Sequence, residues 1–218
     1  MHRIFLIKTD EFTFEKKDLN IPFTEKRKNI GTLSGIITNA IFLSHSLRKN
    51  VIVRLLIEKP MQHIIQIQTD KIRYLGPEER SLASIILKAE RKILENYDTS
   101  FRDKWFQPNP GLFACITDNW YFDLDQYISE PIGIIQFTET DNTNKEFSAI
   151  QFEQIILASR EKNNSSIYFF DLTCSDKELE LQPLNLKSVL HQEKIAKVPS
   201  LPKLIGLINI ILDKKEKE

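Results

Sequence analysis

The sequence predicts an α/β fold built on a largely parallel sheet. Three observations lead there. Short β-branched and aromatic runs recur along the chain, helical apolar spacings lie between them, and polar turn segments separate the two. A length of 218 residues fits one domain, read as 1–218, with the charged tail 214–218 as a frayed helix end. Hydrophobic content of 41% and charged content of 28% argue against disorder.

The elements follow in order. Residues 3–8 are a short apolar run that reads as a buried strand. Residues 9–30 are polar and irregular, with Pro22 and the basic cluster Lys26-Arg27-Lys28, and read as a long loop. Over 32–48 the apolar spacing Leu33, Ile36, Ile37, Ala40, Ile41, Leu47 predicts a well-buried helix. Val51–Ile57 is β-branched and reads as a strand. Residues 63–67 and 72–74 flank Thr69-Asp70 and suggest a hairpin. Gly76-Pro77-Glu78-Glu79 opens a helix running to about Tyr97, with Pro77 at its first position and acids at its positive end.

Residues 103–110 read as loop, 111–116 as strand, 121–128 as a short helix and 132–137 as strand. A polar loop, 138–145, precedes a helix over 148–160. Strands are expected at 166–170 and 194–198, and an apolar helix at 201–213 closes the fold. That helix carries Leu204, Ile205, Ile208, Ile211 and Leu212 besides Leu207 and Ile210, so apolar residues cover nearly its whole circumference. Such a helix at a chain terminus is expected to be covered partly by a second subunit.

Several function classes recede. The formal net charge is zero, which disfavours a protein that coats nucleic acid over its whole surface. Charge is nonetheless uneven. Residues 1–60 carry eleven bases and six acids, whereas 115–155 carry eight acids and one base. A phosphate-bearing partner is drawn to the first region, although ordinary solvated surface accounts for such bias as well. Cys115 and Cys174 form no CxxC pattern, so neither a disulfide framework nor a cysteine metal site is expected, and no metal is assigned. No apolar run approaches a membrane span or a secretory signal, so the default is a reduced, soluble, cytoplasmic protein without a membrane partner. Phosphate-binding, dinucleotide and hydrolase motifs are missing, leaving a generic α/β enzyme with little support.

Two segments are more specific. Ala40-Ile41-Phe42-Leu43-Ser44-His45-Ser46-Leu47-Arg48-Lys49-Asn50-Val51 and Gly76-Pro77-Glu78-Glu79-Arg80-Ser81-Leu82-Ala83 lie behind an Arg3-x-Phe5 start. Together they resemble the archaeal tRNA pseudouridine-54 N1-methyltransferases, members of the SPOUT class of S-adenosylmethionine-dependent RNA methyltransferases. The resemblance covers roughly residues 1–90. Beyond that, Pro110-Gly111-Leu112-Phe113, Tyr127-Ile128-Ser129-Glu130 and Leu212-Asp213 still fit.

The resemblance implies a SPOUT-type α/β fold with a C-terminal trefoil knot, an exception to unknotted topology. It implies a homodimer, S-adenosylmethionine as cofactor, and tRNA or another structured RNA as partner. Asp171 matches the acid of the family's cofactor loop after a strand, and is the candidate base. Phe169, Phe170 and Asp171, with Ser200, Leu201 and Leu204, occupy the cofactor-loop positions. Arg27, Lys28, His45, Arg48 and Lys49 are the RNA-binding candidates. For His45, Arg48 and Lys49, a plain electrostatic role at a helix C-terminus competes with that reading.

Departures from the family pattern fall on the same loops. Phe170 stands where glycine is expected, and Val198-Pro199-Ser200-Leu201-Pro202 lacks the glycine of the second loop. Asn29, Gly31 and Gly35 stand where the family carries an Asp and two Arg. Two functions are therefore weighed: methyl transfer to N1 of pseudouridine in the tRNA T-loop, or a catalytically degenerate SPOUT relative acting as an RNA- or protein-binding dimer. A ring in place of glycine would fill the cofactor groove and weaken binding if it points there; if Phe170 instead faces the core, Asp171 to Thr173 could still frame a pocket.

Overall fold

The computed structural model describes residues 2–11, 15–20, 25–43, 46–96, 101–127, 132–138, 153–154, 156–157, 166–171, 189–196 and 200–215. One sheet of eight strands organises them. These are β1 (Arg3–Glu11), β2 (Val51–Lys59), β3 (His63–Gln68), β4 (Trp105–Asn109), β5 (Leu112–Ile116), β6 (Ile132–Thr138), β7 (Ser166–Asp171) and β8 (Val189–Ala196). Their order across the sheet is β4-β5-β3-β2-β1-β7-β6-β8. β2, β1, β7, β6 and β8 run parallel, while β3, β5 and β4 join antiparallel at one side. The sheet is thus mixed, with the parallel half expected from the alternating pattern.

Three long helices are described: α1 (Glu25–Ile41), α2 (Glu79–Glu95) and α3 (Leu201–Lys215). α2 buries Leu82, Ala83, Ile85, Ile86, Ala89 and Ile93, a single face at helical spacing. Its positive end is entered at Glu78, so Pro77 lies just before the helix rather than inside it. β3 is tied to α2 by a buried pair, His63 Nε2 to Glu90 Oε1 at 2.9 Å.

The side chains of β1 alternate between two cores. Phe5 and Ile7 pack with the helices in the main core, and Ile4 and Leu6 face a second cluster that includes Tyr121 and Leu124. β7 repeats the pattern, with Phe170 in the main core and Phe169 in the second. Phe5 stacks on Tyr168 and Phe170 with ring centroids 5.4 and 6.5 Å apart.

Several expectations are corrected. The segment 9–30 is not one loop: β1 extends to Glu11, a 3-10 turn forms at Lys16–Asn20, and α1 begins at Glu25. Lys26, Arg27 and Lys28 therefore belong to the first turns of α1. That helix ends at Ile41, not at residue 48, because the chain turns back and bridges Phe42 to Leu47. Residues 72–74 do not pair as a strand; β3 instead lies between β2 and β5. The presumed loop at 103–110 contains β4, and the helix expected over 121–128 is a 3-10 turn at Asp125–Tyr127. β8 starts at Val189, earlier than expected. The helix expected over 148–160 lies largely outside the described residues.

Candidate functional site

α1 and α3 both descend from the carboxyl ends of the parallel strands to their amino ends. α3 starts just after β8, and its far end reaches Arg3 at the start of β1, where Arg3 Nη1 lies 2.6 Å from Asp213 Oδ1. α1 ends in the same place: the Asn209 amide donates to the carbonyls of Asn39 and Ala40 at 2.8 and 3.2 Å. The two helices approach closely through glycines. A Cβ on Gly35 would sit 3.3 Å from Pro202 Cγ, and one on Gly206 would sit 3.1 Å from Asn39 Oδ1. A side chain at position 35 would press on Pro202 of α3, which would have to yield by a few tenths of an ångström.

This geometry divides the expected RNA-binding residues. Arg27 and Lys28 sit at the start of α1, at the carboxyl end of the sheet. Lys49 lies at the amino end, just before β2. The fourteen helical steps from Arg27 to Ile41, at about 1.5 Å each, separate the two ends by about 21 Å. His45 lies outside the described residues.

Arg48 is corrected from a phosphate ligand to a structural residue. Its side chain is only 11% exposed. The guanidinium donates from Nη1 to the carbonyls of Asn39 (3.1 Å) and Phe42, and from Nε to Asp213 Oδ2 (3.1 Å). It thus satisfies the orphan carbonyls that any helix leaves at its C-terminus. Arg3 completes the cluster, donating to Asn209 Oδ1 at 2.8 Å as well as to Asp213. Three scattered marks of the family resemblance, Arg3, Arg48 and Asp213, thus form one buried network.

The cofactor-loop residues lie at the opposite end. Asp171 is the last residue of β7 and sits in register beside Lys8 of β1. Lys8 is buried and its Nζ lies 2.8 Å from Glu58 Oε1 on β2. Ser200 is exposed, and its carbonyl accepts from the amides of Lys203 and Leu204 as α3 begins. Ends of parallel strands at one edge, with a helix N-terminus beside them, are where open α/β sheets hold ligands.

Phe169, Phe170 and Leu204 do not offer open side chains there. All three are buried, Phe170 and Leu204 in the main core and Phe169 in the second cluster. The ring of Phe170 is a core ring. The loops that follow Asp171 and precede Ser200, and the Leu201 side chain, lie outside the described residues.

Other chemistry is sparse. Among the described residues no cluster of His, Cys, Asp or Glu could hold a metal, and no helix is long and apolar enough to cross a membrane. Cys115 is buried and its thiol is pushed up to about 12 by burial, which keeps it protonated and inert. Lys8 and the capping network were missed in sequence. A lysine closing an apolar strand run was the one signal for the former.

Comparison with known proteins bears on residues 20–116 and on the fold. Residues 20–116 match a family model described as "Putative SAM-dependent RNA methyltransferase". A tRNA (pseudouridine(54)-N(1))-methyltransferase of Methanococcoides burtonii is 35% identical over 96 residues, which is 43% of each chain. The chain thus aligns with less than half the length of that curated relative. In structure the chain resembles Archaeoglobus fulgidus Nep1, solved with S-adenosylhomocysteine, at a TM-score of 0.50 over 100% of this chain and 99% of that one. Identity is 9%, so this likeness speaks for the α/β fold alone. Residues 20–116, less than half of the chain, are thus similar to the RNA methyltransferase family that this model describes.

Proposed function

We propose that the protein is an S-adenosylmethionine-dependent RNA methyltransferase acting on N1 of pseudouridine in the tRNA T-loop. The observation that supports the reading is that Asp171 ends β7 and Ser200 follows β8 into α3, so the two residues matched separately to cofactor loops both lie on the carboxyl side of parallel strands. The cofactor fits this end because Phe170 turns its ring into the core and leaves main chain to approach the ligand. The main chain of Phe170, Asp171 and Ser200 would hold it, and when bound it supplies a methyl group on a sulfonium. The domain is read as 1–218, with a trefoil knot formed by its C-terminal segments and a cytoplasmic location.

The chain's own task is to orient the target base and accept its proton. Asp171 would take the N1 proton and leave the ring nitrogen with a free lone pair to accept the methyl group that a bound cofactor would supply. Lys8, paired with Glu58 at 2.8 Å, occupies the register position beside Asp171 on the neighbouring strand. Arg27 and Lys28 bring basic residues to the same end, where RNA phosphates would bind. The base itself has to leave its stack to reach the pocket.

Calorimetry with S-adenosylhomocysteine, and methyl transfer to a tRNA carrying pseudouridine 54, test this reading. Wild type is expected to do both. Asp171→Asn is expected to keep cofactor binding and slow transfer by roughly 10²–10⁴-fold, the usual worth of a positioned base. Failure of wild type in both assays favours the second reading, a degenerate RNA- or protein-binding relative, for which Asn29, Gly31 and Gly35 in place of charged residues speak.

A homodimer is part of the proposal. α3 buries Leu204, Ile205, Ile208, Ile211 and Leu212 within the chain, yet Ile210 stays 53% exposed and Leu207 40%. Ile210 lines a cleft of about 590 Å³ with Phe42, Leu43, Leu47 and Leu75. Light scattering is expected to give twice the 25.5 kDa of the chain, and Ile210→Lys is expected to give a monomer. A wild-type monomer at micromolar concentration would overturn the dimer.

A further inference from the structure

We propose that Tyr74, with Arg73, Lys71 and Lys49, forms a stacking platform for an unpaired RNA base at the end of the sheet remote from Asp171. The choice of RNA as partner rests on the function proposed above.

Tyr74 is 95% exposed, and its backbone lies in the left-handed region at φ 60°. A bulky aromatic residue there is an outlier that costs conformational energy. The fold requires the turn but not the tyrosine. Ile72 is buried and Leu75 packs against the main core, so the chain between them has to swing outward. Glycine or asparagine meets that need with less strain. The ring contributes nothing to either core, so its presence points to a partner outside the chain.

The loop that carries it is held firmly. Gly111, at φ 75°, presses on the main chain of Lys71 and Ile72, where a Cβ would come within 2.1 Å of the Ile72 nitrogen. Asn50 N–H donates to Asp70 Oδ1 at 3.0 Å and Thr69 N–H to the Val51 carbonyl at 3.0 Å. These bonds bring the Lys49–Asn50 turn beside the loop. The Asp70 carboxylate is thereby turned to the Asn50 amide. Lys49, Lys71 and Arg73 are exposed. Lys71 is steadied over the Phe113 ring, its Nζ 5.6 Å from the centroid.

A solvent-facing ring on a held loop, with exposed basic residues on that loop and the adjoining turn, suits one ligand chemistry well: a flat base on the ring and phosphates on the cations. Unpaired bases of a folded RNA provide both. A second protein chain is the competing occupant, and it would leave RNA affinity indifferent to the ring.

The test is binding of the full-length protein to a tRNA transcript by fluorescence anisotropy, with thermal melting and light scattering of the same samples. Tyr74→Ala and Tyr74→Gly are expected to weaken binding by roughly tenfold, the worth of one base–aromatic stack, while Tyr74→Phe keeps it. Tyr74→Gly is expected to melt about 1–3 °C higher than wild type, since it relieves the left-handed strain. Opposite signs in affinity and melting point mark a strained binding residue rather than a structural one. Equal affinity in all variants overturns the proposal, as does a change in oligomeric state without a change in RNA affinity. Loss of methyl transfer in wild type, with tRNA binding still dependent on Tyr74, would sink the enzyme reading alone.

Discussion

Asp213→Ala is expected to lower the unfolding free energy by about 3 kcal/mol in urea titration. Removing one partner of a buried ion pair costs roughly 3–5 kcal/mol, and the partial exposure of Asp213 trims that figure. Its carboxylate serves two guanidiniums, Arg3 at 2.6 Å and Arg48 at 3.1 Å, both nearly buried. Without it, two cations remain in the interior and the caps on α1 lose their anchor. Asp213→Asn keeps one acceptor oxygen and is expected to cost less. Arg48→Glu should be at least as damaging as Asp213→Ala, because it reverses charge next to Asp213. Any fall in RNA affinity for that variant would therefore report unfolding, whereas Lys49→Glu probes the exposed surface cleanly. A loss below about 1 kcal/mol for Asp213→Ala would show that the cluster is a surface pair in energetic terms.

The strands easiest to find were those whose burial follows from composition alone. Val51–Ile57 and Ile167–Phe170 are apolar and β-favouring, and both lie inside the parallel half of the sheet. β4 escaped notice because Pro108, Asn109 and Pro110 look like a turn. It is an edge strand, where a missing ladder donor faces no partner and proline is tolerated. α1 was placed about seven residues late for a related reason. Leu43 and Leu47 prolong the apolar spacing, but the chain has already reversed at Phe42. What stops the helix is Arg48 and Asn209 binding its last carbonyls, partners that no local pattern could announce.

The candidate site is proposed from sequence in part: Asp171 and Ser200 match family loops, and in the fold Asp171 ends β7 while Ser200 follows β8. The basic residues were found by charge, which carries no direction: Arg27 and Arg48 look alike in sequence, yet one starts α1 and the other closes it. Long-range partners decide such cases. Arg48 meets Asp213, 165 positions away, and is spent on the fold. Lys8 shows the converse, since burial and pairing at the strand end single out a lysine that its neighbours in sequence do not.

Phe170→Ala is expected to destabilise the protein by about 3–5 kcal/mol and to bring no gain in S-adenosylhomocysteine affinity. The sequence left two outcomes open: a ring in the cofactor groove, whose removal would open the site, or a ring in the core. Phe170 is instead 1% exposed and stacks beside Phe5 with an interplanar angle of 22°. Truncating a buried phenylalanine forfeits its transfer energy and leaves a cavity, the largest common loss for a single core change. Phe170→Gly adds a further penalty from backbone entropy within a strand. Phe170→Leu retains much of the buried volume, so it is expected to fold and to bind cofactor as wild type does. Guanidinium unfolding together with calorimetry on the three variants gives both quantities. A Phe170→Ala protein that remains as stable as wild type and binds cofactor more tightly would return the ring to the groove. The main chain at the end of β7 would then no longer be the part that meets the ligand.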